Sequence, residues 1–379
     1  MVNKKWKVFY APNEHLDIGY TDYRPKVPLR VWSADGVLLG EFGEERRSVV
    51  SIQDVPNRLR EAILAAEDAN FYQQVYFHRL GTDPEQDTYV MGKDFPRIAE
   101  IQLRTSDDGR WLLASVANGD GGQFAHYVMD LDGHWTQITR FQDGIVSVKF
   151  GPGGERGSGE PALYLLSRKD APRGQILRLS LAQPDLAQAK VIVPQSSGGS
   201  DESARASIEN FIPTWGHLYV MDILGGPSRV RVFDHQGKPL PAPPLPPIAA
   251  VYGAVPVGGG DVLFNLSTYL EPPAWYYFDA ASGQATRTAL FETAPVHYDD
   301  AEVVRAFATS KDGTQVPLNI IQLKGTKLDG THPALLTGYG GYGISTKPGF
   351  LGPFNRLWLD HGGIFVDTNI RGGGEDGEE

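Results

Sequence analysis

Between residues 75 and about 303, short apolar or alternating runs recur at intervals of roughly 8–12 residues, each bounded by turn chemistry. Ser106-Asp-Asp-Gly109 precedes a run at 111–116, Asn118-Gly-Asp-Gly-Gly122 one at 125–130, and Asp132-Gly133 one at 135–138. Further runs follow at 145–150, 162–167, 175–180, 217–223, 229–234, 262–266 and 275–278. Such runs are strand-length and rich in β-branched and aromatic residues, so the pattern predicts strands. A meander of this kind builds a sandwich, a barrel or a propeller. The strands fall loosely into fours, with an aspartate-glycine turn near many hairpins, which favours propeller blades. Pro241-Ala-Pro-Pro-Leu-Pro-Pro247 reads as a stiff connection between two of them.

The flanks have a different character. Before residue 74, apolar runs at 29–32 and 37–42 flank Ser33-Ala-Asp-Gly36, a hairpin signal. An amphipathic helix is expected next, with Asp54 as cap, Pro56 in the first turn, and Val55, Leu59, Ile63 and Ala66 at helical spacing. After about residue 304, Ala334-Leu-Leu336 and Gly363-Ile-Phe-Val-Asp367 read as buried strands followed by glycine-rich loops. Those suit the opening strands of an α/β sheet, and no helix of such a sheet is expected before Glu379. The fold expected is therefore mainly β: a short α/β N-terminal segment (1–74), an incomplete β-propeller (75–303), and the first strands of a truncated α/β-hydrolase domain (304–379).

Composition narrows the chemistry. Gly (44) and Pro (27) make up nearly a fifth of the 379 residues, fitting a turn-rich globular chain. The net charge of −11 has no basic stripe within it, which argues against a phosphate-tracking nucleic-acid binder. There is no cysteine, so disulfides, thiolate metal sites and cysteine nucleophiles are excluded. No apolar stretch of about 18 residues occurs, so no membrane span is expected, and a cytoplasmic location is the default.

Three motifs could carry chemistry, and a fourth is missing. Gly338-Tyr-Gly-Gly-Tyr-Gly343 satisfies G-x-G-x-x-G, but the Ile344-Ser-Thr-Lys-Pro-Gly349 that follows does not open the helix a dinucleotide loop requires. No cofactor is expected. A serine-centred triad on a strand-to-helix turn uses G-x-S-x-G, and that pentapeptide is missing. His15-Leu-Asp17 offers two potential metal ligands without a third, so no metal site is assigned. Glu67-Asp68, at the end of the expected helix, could act as acid or base only if desolvated.

The last three-quarters of the chain resembles the prolyl oligopeptidases, serine peptidases that join a β-propeller to an α/β-hydrolase domain. Ser310-Lys-Asp-Gly-Thr-Gln-Val-Pro317, Lys327-Leu-Asp-Gly-Thr-His-Pro333, Thr337-Gly-Tyr-Gly-Gly-Tyr-Gly343 and Asn369-Ile-Arg-Gly-Gly-Gly-Glu375 follow the family order. So do the propeller segments Val75-Tyr-Phe-His-Arg-Leu-Gly-Thr-Asp83 and Ser106-Asp-Asp-Gly-Arg-Trp-Leu-Leu113. The resemblance implies that Tyr339 donates its hydroxyl to the oxyanion of a tetrahedral intermediate, and that Tyr342 lines a pocket accepting proline. Arg371 and the glycines after it would shape a loop beside them, and short proline-containing peptides would be the substrates. The family's serine, aspartate and histidine lie downstream of the motif ending at Glu375, so this stretch alone is expected to be inactive. Asp376 stands where the family has an aromatic residue, and Ala117 where some members carry a substrate-contacting arginine.

The front of the chain resembles other enzymes. Thr21-Asp-Tyr-Arg-Pro-Lys-Val-Pro-Leu29 and Ala65-Ala-Glu-Asp-Ala-Asn-Phe-Tyr72 are similar to the murein glycosyltransferase domain of class A penicillin-binding proteins, in which the glutamate matching Glu67 is catalytic. Glu14-His-Leu-Asp-Ile-Gly-Tyr-Thr21 is similar to the zinc motif opening α-mannosidase-type glycoside hydrolases. The chain thus reads as a composite. A non-catalytic propeller interaction module and a glycosyltransferase remnant are the alternative functions.

Overall fold

The computed structural model describes residues 29–32, 38–42, 73–152, 160–199 and 202–377. The chain divides into two units, Met1–Phe71 and Tyr72–Glu379. In the first, β1 (Leu29–Trp32) and β2 (Leu38–Phe42) pair antiparallel with Leu29 opposite Phe42, at the expected hairpin. The expected helix at 54–66, together with His15, Asp17, Glu67 and Asp68, lies outside the described residues.

The second unit opens with a two-stranded ribbon, β3 (Val75–Phe77) with β4 (Thr88–Met91). Four four-stranded antiparallel meanders follow, each strand pairing with the next in sequence. The first is β5 (Ala99–Thr105), β6 (Leu112–Asn118), β7 (Phe124–Met129) and β8 (Trp135–Thr139). The second is β9 (Ile145–Phe150), β10 (Ala162–Ser167), β11 (Gln175–Ser180) and β12 (Lys190–Val193). The third is β13 (Ser207–Pro213), β14 (Leu218–Ile223), β15 (Ser228–Phe233) and β16 (Pro239–Leu240). The fourth is β17 (Ala250–Gly258), β18 (Asp261–Ser267), β19 (Ala274–Asp279) and β20 (Gln284–Phe291). These are propeller-type blades. The proline-rich stretch at 241–247 connects the third to the fourth.

Packing explains the sequence of the central strands. On β10, Tyr164 and Leu166 face a core shared with Phe211, Leu218 and Val220 of the third blade. Leu163 and Leu165 face the opposite way, into a core shared with Leu113 and Val128 of the first. Strand β14 repeats the arrangement: its Tyr219 and Met221 pack with Phe264 and Phe278 of the fourth blade. A blade held between two neighbours buries both faces, so its second strand is a continuous apolar run rather than an alternating one. Each such side chain contributes roughly 1.5–3 kcal/mol when fully buried. A charged group also sits among them. Asp222, fully buried on β14, accepts from Arg229 Nη2 at 2.7 Å and from Arg231 Nε and Nη2 at 2.7 Å each.

The chain then leaves the blade pattern. Strands β21 (Ala301–Thr309), β22 (Gln315–Leu323), β23 (Ala334–Gly338) and β24 (Ile364–Thr368) form a sheet in the order β21-β22-β24-β23. Strand β24 runs antiparallel to β22 and parallel to β23. Two expectations need correcting here. The strand at 334–336 exists, at the sheet edge, but it is exposed along its length, Leu336 to 67%, because among the described residues no apolar core cluster packs on its side chains. A helix does occur before Glu379: Pro353–Asp360 forms the crossover between the parallel strands β23 and β24. Pro353 fits its first turn, where no backbone donor is needed, and Leu359 is the side chain it buries fully. Among the described residues, no helix is long and apolar enough to cross a membrane.

Candidate functional site

Two glycine-rich loops leave the C-terminal ends of the parallel strands β23 and β24 and stay in contact beyond them. The Gly343 N–H donates to Gly372 O at 3.1 Å, and Gly343 bridges Gly373 in parallel. Contact between the two backbones explains the glycines. A Cβ on Gly340 would collide with the Arg371 carbonyl, and one on Gly374 would lie 2.6 Å from Gly343 O. The pattern therefore serves backbone-to-backbone packing here, and the nearest helix starts only at Pro353.

These loops present the two tyrosines singled out in the sequence. Tyr339 is 47% exposed and folds over Gly341, where a Cβ would lie 2.9 Å from its hydroxyl oxygen. Tyr342 is 89% exposed and holds φ at +57°, a left-handed conformation costing a non-glycine residue on the order of 1–3 kcal/mol. Such strain is characteristic of sites where one side chain must be aimed. Tyr342, Gly343, Ile344 and Gly372 to Gly374 line one side of a cavity of about 710 Å³. The other side comes from the blades: Asp120 of the first, Arg168 of the second, Ser207 and Glu209 of the third. Ala117 sits on β6, just before the 118–122 turn that reaches this cavity.

A buried polar network holds the loops from behind. Glu375, 4% exposed, accepts from the Thr346 N–H at 2.8 Å and from Asn369 Nδ2 at 3.1 Å. Asn369 Nδ2 also donates to Thr346 O at 2.7 Å. Asp367 accepts from the Tyr269 hydroxyl at 2.6 Å and from Thr337 Oγ1 at 3.1 Å, and Asn319 Nδ2 donates to the same tyrosine oxygen at 3.0 Å. Burial, then the Asp367 charge, pushes the Tyr269 hydroxyl far above its usual range, so it stays a donor. Arg371 is anchored outside this network, pairing with Asp312 and donating to Ser310 Oγ at 3.1 Å. The Thr314 N–H, then Arg371, holds the Asp312 carboxyl well below the usual carboxylate range. Burial pushes the Asp376 carboxyl up, although Arg205 stands 3.9 Å away.

The tyrosines and glycines stand out in the sequence, but Asp367, Thr346 and Tyr269 do not, because nothing local marks their pairing. None of the described histidines hydrogen-bonds a serine; their partners include Asp87, Thr139, Tyr164 and backbone carbonyls. Asp130, Asp132 and His134 approach one another on an exposed hairpin turn. Asp130 Oδ1 there already accepts the N–H groups of Asp132 and His134, each at 2.9 Å.

Four blades passing into a mixed sheet, with a glycine-walled cavity between them, define a mainly-β protein of the propeller type. The family profile described as prolyl oligopeptidase, N-terminal β-propeller domain, matches residues 54–289, and the chain belongs to that family. The match begins inside the front segment that the sequence set apart. The prolyl endopeptidase of Elizabethkingia meningoseptica is 30% identical over 315 residues, covering 81% of this chain and 41% of that protein. Prolyl oligopeptidase A of Galerina marginata is 22% identical over 324 residues, covering 83% of this chain and 42% of its own length. A chain solved in a structural and mechanistic analysis of two prolyl endopeptidases superposes with a TM-score of 0.67 at 27% identity, covering 81% of this chain and 43% of that one. The chain thus spans about two fifths of the length of these relatives.

Proposed function

We propose that this chain carries the propeller and the oxyanion-stabilising part of a prolyl oligopeptidase-type serine peptidase acting on short peptides after proline. One observation carries the reading: the strained Tyr342 lines a cavity walled on its far side by propeller blades, and Tyr339 stands three residues before it on the same glycine-rich loop. In this reading the Tyr339 hydroxyl donates to the oxygen that gains charge as the peptide carbonyl becomes tetrahedral. A preorganised donor of that kind is worth about 10²–10³ in rate. The Tyr342 ring packs against the flat face of the proline ring, and the blades limit the cavity to short chains. Serine, histidine and aspartate are not among the roles assigned to these residues.

Binding and turnover test the proposal separately. Calorimetric titration with an N-acylated Gly-Pro peptide should show saturable binding. Replacing the peptide's proline by alanine, or Tyr342→Ala in the protein, should weaken it by about tenfold. Equal affinity for the proline-free peptide would end the proline reading. These residues contain no G-x-S-x-G, so a serine-directed fluorophosphonate should leave the chain unlabelled; stable labelling would place a nucleophile where none is assigned.

A further inference from the structure

A second, smaller cavity of about 150 Å³ lies between the first and second blades, away from the tyrosines. Its polar lining follows from strand register. Gln102 pairs with Ser115 across β5 and β6, Ser115 with His126 across β6 and β7, and His126 with Thr139 across β7 and β8. Directly paired residues share a face, so the first blade carries one continuous polar row. Strand β9 of the second blade closes the cavity with Ser147 and Lys149, two residues apart and therefore on one face. Arg104 joins from β5.

The charges in this cavity are one-sided. Lys149 donates to Asn210 Oδ1 at 2.7 Å and to Phe211 O at 2.8 Å, both neutral acceptors, which leaves its third N–H unused. Burial, then the nearby Arg104 charge, lowers its pKa to about 8. Among the described residues no carboxylate pairs with either cation. The side chains of Gln102, Arg104, Ser115 and Ser147 have no hydrogen-bond partner among the described residues; Gln102 and Arg104 stand at the exposed mouth of the cavity, Ser115 and Ser147 half-buried within it. His126 engages Thr139 Oγ1 at 2.7 Å through Nδ1 and leaves Nε2 unengaged. Two like charges thus act on one another, half-buried Lys149 within the cavity and exposed Arg104 at its mouth, in a chain whose net charge is −11, with serine hydroxyls between them and space for several waters.

We infer that this inter-blade cavity is a binding site for a compact oxyanion, held by Arg104 and Lys149 and hydrogen-bonded by Ser115, Ser147 and Gln102. An oxyanion supplies the missing negative charge and accepts from every idle donor at once. A cation would meet Arg104 and Lys149, and an apolar ligand would strand the donors. Two sources present this chemistry, free inorganic phosphate and the C-terminal carboxylate of a short peptide. The site does not depend on the peptidase reading, since neither tyrosine lines it.

The test follows the His126 ring by NMR while the protein is titrated at constant ionic strength with sodium phosphate, then with a short peptide bearing a free or an amidated C-terminus. Saturable shifts of the His126 Cε1–H are expected, with the His126 titration midpoint moving upward as an anion approaches Nε2. Arg104→Gln should weaken binding by about tenfold, and so, less steeply, should Ser147→Ala, a small change that tests the site without threatening the fold. Response to phosphate alone assigns a free-anion site. Response to the free but not the amidated peptide assigns a terminal carboxylate. No saturable response to either probe, or a response that Arg104→Gln leaves unchanged, overturns the inference.

Discussion

His126 shows how one residue links register to pH. It sits in the middle of β7 at 1% exposure, and burial lowers its pKa from 6.5 to about 4. In the folded protein the ring is therefore neutral across the ordinary pH range, while the unfolded chain takes up a proton below about 6.5. The stability this residue supports is intact above pH 6.5. It declines as pH falls from about 6.5 to about 4, by roughly 3 kcal/mol in total, and then levels off. Urea unfolding of the protein and of His126→Asn at pH 7 and pH 4.5 checks this. The variant should lose less stability between the two pH values than the parent does; equal losses would mean the ring is not the group that titrates. Nothing in the sequence singled this histidine out, because its burial depends on Thr139 and on a blade face visible only once the strands are paired.

At the scale of elements, legibility followed burial. Strands β10 and β14 lie between two packed blades and announce themselves as continuous apolar runs. The first strand of the second blade was read at 145–150, but those of the first, third and fourth blades were missed, and their composition gives the reason. Strand β5 carries Glu100, Gln102 and Arg104, β13 carries Glu209 and Asn210, and β17 is interrupted by Gly253 and Pro256. Polar residues in the cavity-facing strands erase the apolar signal. The Pro353–Asp360 helix escaped for a different reason: at eight residues it is shorter than the stretch over which helical periodicity can be told from a chance cluster of apolar residues. The glycine loops, by contrast, were readable because glycine is the direct mark of backbone contact. Gly374→Ala should therefore cost about 1–3 kcal/mol by overpacking against Gly343 O and Ser345 Oγ. Gly352→Ala, with nothing near its missing Cβ, should cost less than about 1 kcal/mol, the modest change expected at a helix cap. Chemical denaturation of the two variants measures the contrast, and similar losses would show that the loops can separate freely.

For the larger unit as a whole, the question is what ties the blades to the following sheet, and Arg305 of β21 gives a specific answer. Its side chain, 15% exposed, pairs with Glu202 and donates to Leu224 O at 3.0 Å and Gly225 O at 2.7 Å, all within the third-blade region. Its Nη1 reaches back to Asn319 Oδ1 at 3.1 Å in its own sheet. The approach is close enough that a Cβ on Gly226 would lie 2.6 Å from Asn369 Oδ1, on the residue that also holds Glu375 and the glycine loop. One guanidinium thus connects a blade turn to the site through groups 14 to 103 residues distant in sequence, a linkage no local pattern can reveal. Removing it leaves Glu202 and two carbonyls without their donor, at a cost of about 3 kcal/mol or more. The loss should also be localised. In hydrogen exchange followed by mass spectrometry, Arg305→Met should deprotect Ala301–Thr309, Ile364–Thr368 and the loops beyond them, while Ala162–Ser167 and Gln175–Ser180 keep their protection. Arg305→Lys retains the charge but cannot span the same four acceptors, so it should restore only part of the protection. Uniform deprotection of blades and sheet together would mean that the two are held by their apolar contacts, and that the cavity wall at Tyr342 keeps its shape without this arginine.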